Sequence, residues 1–186
     1  MNPQLIELPS TINTERLFLR MPKPGDGKAV NDAIRASINE LKPWLPFVQN
    51  TPAVEDTEQN IREAYINFLN RESLRFLIFH KQSQALIGST SLHNIDWRIP
   101  KFEIGYWVDT RFSGSGYITE AIKGLSSFAF DELKARRLEI RCESTNHKSR
   151  LIPERIGYEL EGILRNEDLS ADGKRLTDTC IYSKVQ

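Results

Sequence analysis

Residues Arg111-Phe-Ser-Gly-Ser-Gly116 carry the most chemistry per position in this chain. They follow an apolar, strand-like run, Phe102-Glu-Ile-Gly-Tyr-Trp-Val108, and open a helical pattern from Tyr117 to Leu133. A strand that runs through a glycine-interrupted loop into a helix makes an anion site. Glycines remove side chains that would hold a ligand away, and the first helical turn presents N–H groups with no partner inside the helix. The helix dipole favours negative charge at that end, so the spacing implies a phosphorylated ligand. No Gly-Lys-Ser/Thr closes the loop, which excludes a P-loop, and Gly114 and Gly116 lack the third glycine of G-x-G-x-x-G.

Other residues could do chemistry near such a loop. Asn146 and Ser149 stand three apart at the start of a short helix, so both can face one cavity; plain N-capping by Asn146 is the simpler reading. Pro153 has no N–H, so the carbonyl of Ser149, four residues earlier, loses its helical donor. That carbonyl is expected to face ligand or water in the site. Glu103 lies on the strand face opposite Phe102, Ile104 and Tyr106. Cys142 alternates onto an apolar face and Cys180 sits in the last strand, so both read as free buried thiols. His80, His93 and His147 are too widely spaced to suggest a zinc site.

The elements that must position these residues alternate along the chain. Leu17 and Leu19 mark a first strand, and Pro24 opens a helix with Val30, Ala33, Ile34 and Ile38 on one face. Leu41-Lys-Pro-Trp-Leu-Pro-Phe47 reads as a loop or broken helical turn. A second helix spans about Glu55 to Arg71, followed by strands over Leu74–Phe79, Ala85–Leu92 and Phe102–Val108. A third helix buries Ile118, Ala121, Ile122, Leu125 and Ala129. Then come a strand over Leu138–Cys142, a short helix between Asn146 and Ile156, and strands around Gly162–Arg165 and Thr177–Ser183, with Asp172-Gly173 as their turn. This order points to one α/β sheet with helices on both faces.

A length of 186 residues suits one domain over residues 1–186. Balanced charge, 25 basic against 25 acidic residues, argues against a surface built to neutralise nucleic-acid phosphates. No apolar run is long enough to span a bilayer, and Met1-Asn-Pro-Gln-Leu-Ile-Glu7 lacks the regions of a signal peptide, so a cytoplasmic location is expected.

The Arg-x-x-Gly-x-Gly spacing resembles the Q/R-x-x-G-x-G/A motif of the GNAT acyltransferases. Glu103-Ile-Gly-Tyr-Trp-Val108, Gly116-Tyr-Ile-Thr-Glu-Ala121, Asn146-His-Lys-Ser149, Pro153-Glu-Arg-Ile-Gly-Tyr158, Leu160-Glu-Gly162 and Thr14-Glu-Arg-Leu-Phe-Leu-Arg20 resemble, in order, segments of its RimJ/RimL branch, the ribosomal-protein N-terminal acetyltransferases. The resemblance implies a GNAT fold with a mixed sheet of about seven strands, acetyl-CoA as co-substrate, no metal, and direct attack by an amine. Backbone groups of Trp107 and Val108 would pair with the pantetheine arm. Arg111, Phe112, Ser113, Gly114, Ser115 and Gly116 would hold the pyrophosphate, with Arg111 equally readable as a solvated side chain, and Asn146 would orient the pantetheine amides. Ser149 would donate to the leaving thiolate. Glu161 by the resemblance, or Glu103 by its position on the strand, would act as base, directly or through a water, each equally readable as a surface charge or half of an ion pair. Trp44 and Phe47 would line the acceptor pocket, or form a hydrophobic plug or dimer contact. The implied acceptor is a protein N-terminal α-amine, with a ribosomal protein as partner and homodimers common in the branch. A small amine, or a sensor that binds acyl-CoA without turnover, are the alternatives.

Overall fold

The computed structural model describes residues 3–186. Its strands are β1 (Ile12–Asn13), β2 (Leu17–Arg20), β3 (Leu74–His80), β4 (Leu86–Asp96), β5 (Lys101–Val108), β6 (Arg137–Glu143), β7 (Glu159–Leu169) and β8 (Leu176–Val185). Its α-helices are α1 (Gly27–Ala36), α2 (Ile38–Leu41), α3 (Val54–Asn70), α4 (Tyr117–Asp131) and α5 (His147–Arg155). The strands form one eight-stranded sheet ordered β1-β2-β3-β4-β5-β6-β8-β7. That is one strand more than the sequence suggests. The addition is the two-residue β1, too short to leave a pattern, which pairs Ile12 with Leu19 and Asn13 with Phe18.

Period-two alternation sorts the sheet into two faces. Phe76, Ile78, Phe102, Ile104, Leu138 and Ile140 pack with Ile118, Ala121, Ile122, Leu125 and Ala129 of α4. Leu77, with the half-buried Trp107, packs on the other face against Val30 and Ile34 of α1 and Ile61 of α3. Burying each such side chain contributes about 1.5–3 kcal/mol. Prolines make the segment after α1 irregular, as expected: a short α2 is followed by a 3-10 turn over Pro46–Val48.

β5 and β6 are the parallel neighbours, which is why a helix, α4, connects them. Their pairing is short: Lys101 with Arg137, Phe102 with Leu138 and Glu103 with Glu139. Beyond Glu103 the strands part. β5 stays paired to β4 as far as Val108 opposite Gly88. Among the described residues its other edge, from Ile104 to Val108, meets no strand, so the sheet forks there.

Candidate active site

The fork ends at the glycine loop. Asp109, wholly buried, accepts from the amide of Arg111 at 3.0 Å and caps the 3-10 turn over Thr110–Phe112. The guanidinium of Arg111 folds back onto the same carboxylate, with Nη2 2.5 Å from Oδ2. Its side chain is therefore committed to shaping the loop. The amide of Thr110 donates to Ser37 Oγ at 2.8 Å, which ties the loop to the end of α1.

Gly114 and Gly116 take φ of 81° and 77°, a region costly for any residue with a Cβ. Nothing lies within 4 Å of where a Cβ would stand on Gly114. Ser113 to Gly116 are exposed, and the first bond of α4 runs from Glu120 N to Gly116 O. Among the described residues, the amides from Gly114 to Thr119 meet no acceptor. This row of outward N–H groups at a helix N-terminus fits a diphosphate.

Arg16 is a part of the loop that the motif does not reveal. Its Nη1 donates to Ser115 O at 3.1 Å and its Nε pairs with Glu120 at 2.6 Å. Thr14 Oγ1 also donates to Glu120, at 2.6 Å. The Thr14-Glu-Arg16 segment, readable in sequence only as the approach to a strand, is a clamp on the first turn of α4. Burial acts to raise the Glu120 carboxyl, but hydrogen bonds from Thr14 and Arg16 overcome it and hold it below the ordinary range.

Across the fork stands α5. Asn146 caps it, accepting from the Ser149 amide at 3.1 Å, so its side-chain oxygen is spent on the helix end. The Tyr106 hydroxyl lies 3.2 Å from Ser149 Oγ and donates to Ser149 O at 2.9 Å. The expectation that Pro153 leaves this carbonyl facing ligand or water is corrected: a side chain from β5 supplies the donor that the helix lacks. Burial drives the Tyr106 phenol pKa well above its usual value. It also pushes the Cys142 thiol up to about 11, so Cys142 is a poor nucleophile in this site.

The opposite face carries a cavity of about 420 Å³ that reaches the fork at Gly105, Tyr106 and Trp107. Of the two aromatics expected at an acceptor pocket, Phe47 lines this cavity; Trp44 does not, and Leu45 stands there instead. Its polar lining includes Asp56, Asn60, Arg75 and Ser91. Arg75 donates to Asn60 Oδ1 at 2.6 Å, and burial lowers its pKa.

The two candidate glutamates occupy different settings. Glu103, next to the fork, lies 3.4 Å from His93 Nε2 and accepts from Asn94 Nδ2 at 2.8 Å. Burial acts to raise its pKa, but the hydrogen bonds from His93 and Asn94 and the charge of Arg141 bring it below the ordinary value. Glu161 is not brought to Ser149. It accepts from Arg137 at 2.5 and 2.7 Å and from Ser183 Oγ at 2.6 Å, on the polar face of β6 and β8. The Arg137 hydrogen bonds hold its carboxyl at about 2, too low for an effective base at neutral pH.

A forked mixed sheet, an amide-lined turn at the end of β5 and a cavity meeting the fork from the other face define a coenzyme-A-dependent N-acyltransferase. The chain belongs to the acetyltransferase (GNAT) domain family, whose model matches residues 16–159. It is 34% identical to the YdaF protein of Bacillus subtilis over 82% of each chain. It is 29% identical to the ribosomal-protein-serine acetyltransferase of Escherichia coli, covering 76% of this chain and 75% of the relative. Among solved structures, the microcin C7 self-immunity acetyltransferase MccE, in complex with acetyl-CoA and AMP, superposes with a TM-score of 0.86 at 27% identity, covering 96% and 98% of the two chains. The protein is an acetyl-CoA-dependent N-acetyltransferase related to the ribosomal-protein acetyltransferases. No helix among the described residues is long and apolar enough to cross a membrane.

Proposed function

We propose that the acceptor is the N-terminal α-amine of a protein, in the first instance a ribosomal protein. The observation that carries this reading is the charge balance of the cavity at the fork, whose lining holds one carboxylate, Asp56, and one guanidinium, Arg75, among apolar and neutral polar groups. A polyamine would call for a clear excess of carboxylates. A peptide N-terminus asks for a narrow approach, neutral hydrogen-bonding groups and a place for one lone pair to reach the thioester. The similarity to the Escherichia coli ribosomal-protein-serine acetyltransferase supports the same reading.

The residues divide the work as follows. The free edge of β5 over Ile104–Val108 would hold the pantetheine arm, and the amides of Gly114 to Thr119 the diphosphate. Bound acetyl-CoA supplies the activated acetyl group. Ser149, whose hydroxyl stands 3.2 Å from that of Tyr106, faces the leaving sulfur and donates to it. The cavity lined by Phe47, Ser91 and Gly105 orients the amine.

A second reading is a small amine that carries a phosphate or carboxylate. Arg75 in the cavity favours it, as does the likeness to MccE, solved with AMP. Intact-mass analysis after incubation with acetyl-CoA separates the two. The panel holds peptides with the N-termini of ribosomal proteins, aminoacyl nucleotides and polyamines. A gain of one acetyl group on the peptides alone supports the proposal. Acetylation of the nucleotide-linked amines alone replaces it with the second reading.

A further inference from the structure

His93 is absent from any motif in the sequence, yet it occupies the centre of a three-residue contact beside the fork. Its Nε2 lies 3.4 Å from Glu103 Oε1 and its Nδ1 lies 3.1 Å from Ser91 Oγ. Ser91 lines the acceptor cavity. The ring stands over Gly105, two residues past the last β5–β6 pair, where a Cβ would come 3.1 Å from His93 Cε1. Glycine at 105 is what gives the ring this position. The bulge in β4 between His93 and Asp96 then turns Asn94, at φ 48°, to donate to the second oxygen of Glu103. Hydroxyl, imidazole and carboxylate thus run in sequence from the cavity to a fixed anion, the order that proton removal requires.

We propose that His93 is the proton acceptor of the transfer, that Ser91 passes the proton to it from the acceptor ammonium, and that Glu103 is the positioning residue for the imidazole. This deepens the reading of the site as an amine acetyltransferase and rests on it. Neutral His93 holds its hydrogen on Nε2, donated to Glu103, and accepts from Ser91 through Nδ1. Ser91 Oγ takes one proton from the ammonium as its own moves to Nδ1. The freed lone pair forms the C–N bond, and the C–S pair leaves with sulfur. Of the two protons left on nitrogen, one stays on the amide and one goes to solvent. The thiolate takes a proton from the Ser149 hydroxyl, which solvent replenishes. The charged groups near His93 are Glu103 on β5 and, through Glu103, Arg141 on β6. Glu103 meets the ring at Nε2, the nitrogen that does not contact Ser91.

Two measurements test this. The first needs no acceptor. In the coenzyme A complex at pH 8, the ¹⁵N-correlated imidazole spectrum, with His93 assigned by its absence in His93→Gln, is expected to show the Nε2–H tautomer. An Nδ1–H tautomer overturns the relay whatever the acceptor proves to be. The second compares His93→Gln with wild type on a peptide bearing an N-terminal serine. A free α-amine titrates near about 7.8, so roughly one molecule in twenty is uncharged at pH 6.5. The variant is expected to lose about 20-fold in kcat/KM at pH 6.5 and under about 3-fold at pH 9, where the amine has already shed its proton. Coenzyme A affinity by calorimetry should hold, which reports an intact fold. A loss of the same size at both pH values makes His93 structural and overturns the proposal. Absence of wild-type turnover on the peptide would sink the α-amine reading of function and leave the tautomer to decide the relay.

Discussion

Tyr106 and Pro153 should be energetically coupled although they sit on different elements. Pro153 deprives the Ser149 carbonyl of its i+4 amide, and the Tyr106 hydroxyl takes its place at 2.9 Å. Removing that hydroxyl in Tyr106→Phe keeps the ring and leaves the carbonyl without a donor beside the half-buried Ser149. Leaving such a group unpaired costs about 1–3 kcal/mol, with partial access of water placing this case near the lower half, about 1–2 kcal/mol. For a chain of this length that is a fall of roughly 3–6 °C in Tm. In a Pro153→Ala background the restored amide N–H of residue 153 can donate to the same carbonyl. The cost of Tyr106→Phe should then drop below about 0.5 kcal/mol, a coupling of about 1 kcal/mol. Urea unfolding of the four proteins of the cycle measures it. An equal cost in both backgrounds would refute the reasoning, because the tyrosine would then not be substituting for the missing helical bond.

Ser149→Ala should lower turnover by about 10- to 100-fold while coenzyme A affinity by calorimetry stays within about threefold; equal loss of both would make the hydroxyl a binding group. Gly116→Ala forces a Cβ into φ 77°, at a cost of about 1–2 kcal/mol, and where the loop shifts to relieve it acetyl-CoA affinity should fall about tenfold, read by the same calorimetry. An unchanged affinity would detach the glycine from the diphosphate site. Glu161 has its carboxyl lowered to about 2 by Arg137, so its pairing contributes stability above the unfolded-state value near 4.5 that is lost as pH falls towards 2. Chemical denaturation of Glu161→Gln should show a flatter acid limb over that window and wild-type kcat; a collapse in kcat with an unchanged limb would restore the residue to catalysis.

The sequence by itself determined the strands and helices with strong periodicity and the nature of the main ligand site. Period-two runs such as Leu74–Phe79 and Phe102–Val108, and the 3.6-period face of Ile118, Ala121, Ile122 and Leu125, are local properties that the solvent boundary enforces. The Arg-x-x-Gly-x-Gly loop was legible because positive φ and free amides depend on a few adjacent residues. Asp109 could have been found the same way, since an aspartate two residues before an arginine at a turn is a local cap; Ser37, which anchors the same loop from 73 residues away, could not. The two-residue β1 carried too few residues to show a period.

What tertiary structure alone decided was which polar groups met. Arg16 and Glu120 are 104 residues apart in sequence, Tyr106 and Ser149 43, and Arg137 and Glu161 24. A glutamate looks the same in sequence whether it faces an arginine, as Glu161 does, or a histidine beside the fork, as Glu103 does. Its pKa and its availability as a base come from partners supplied by strand register and by the fork between β5 and β6. Register is a property of the whole sheet, set by packing on both its faces, and no short segment contains it.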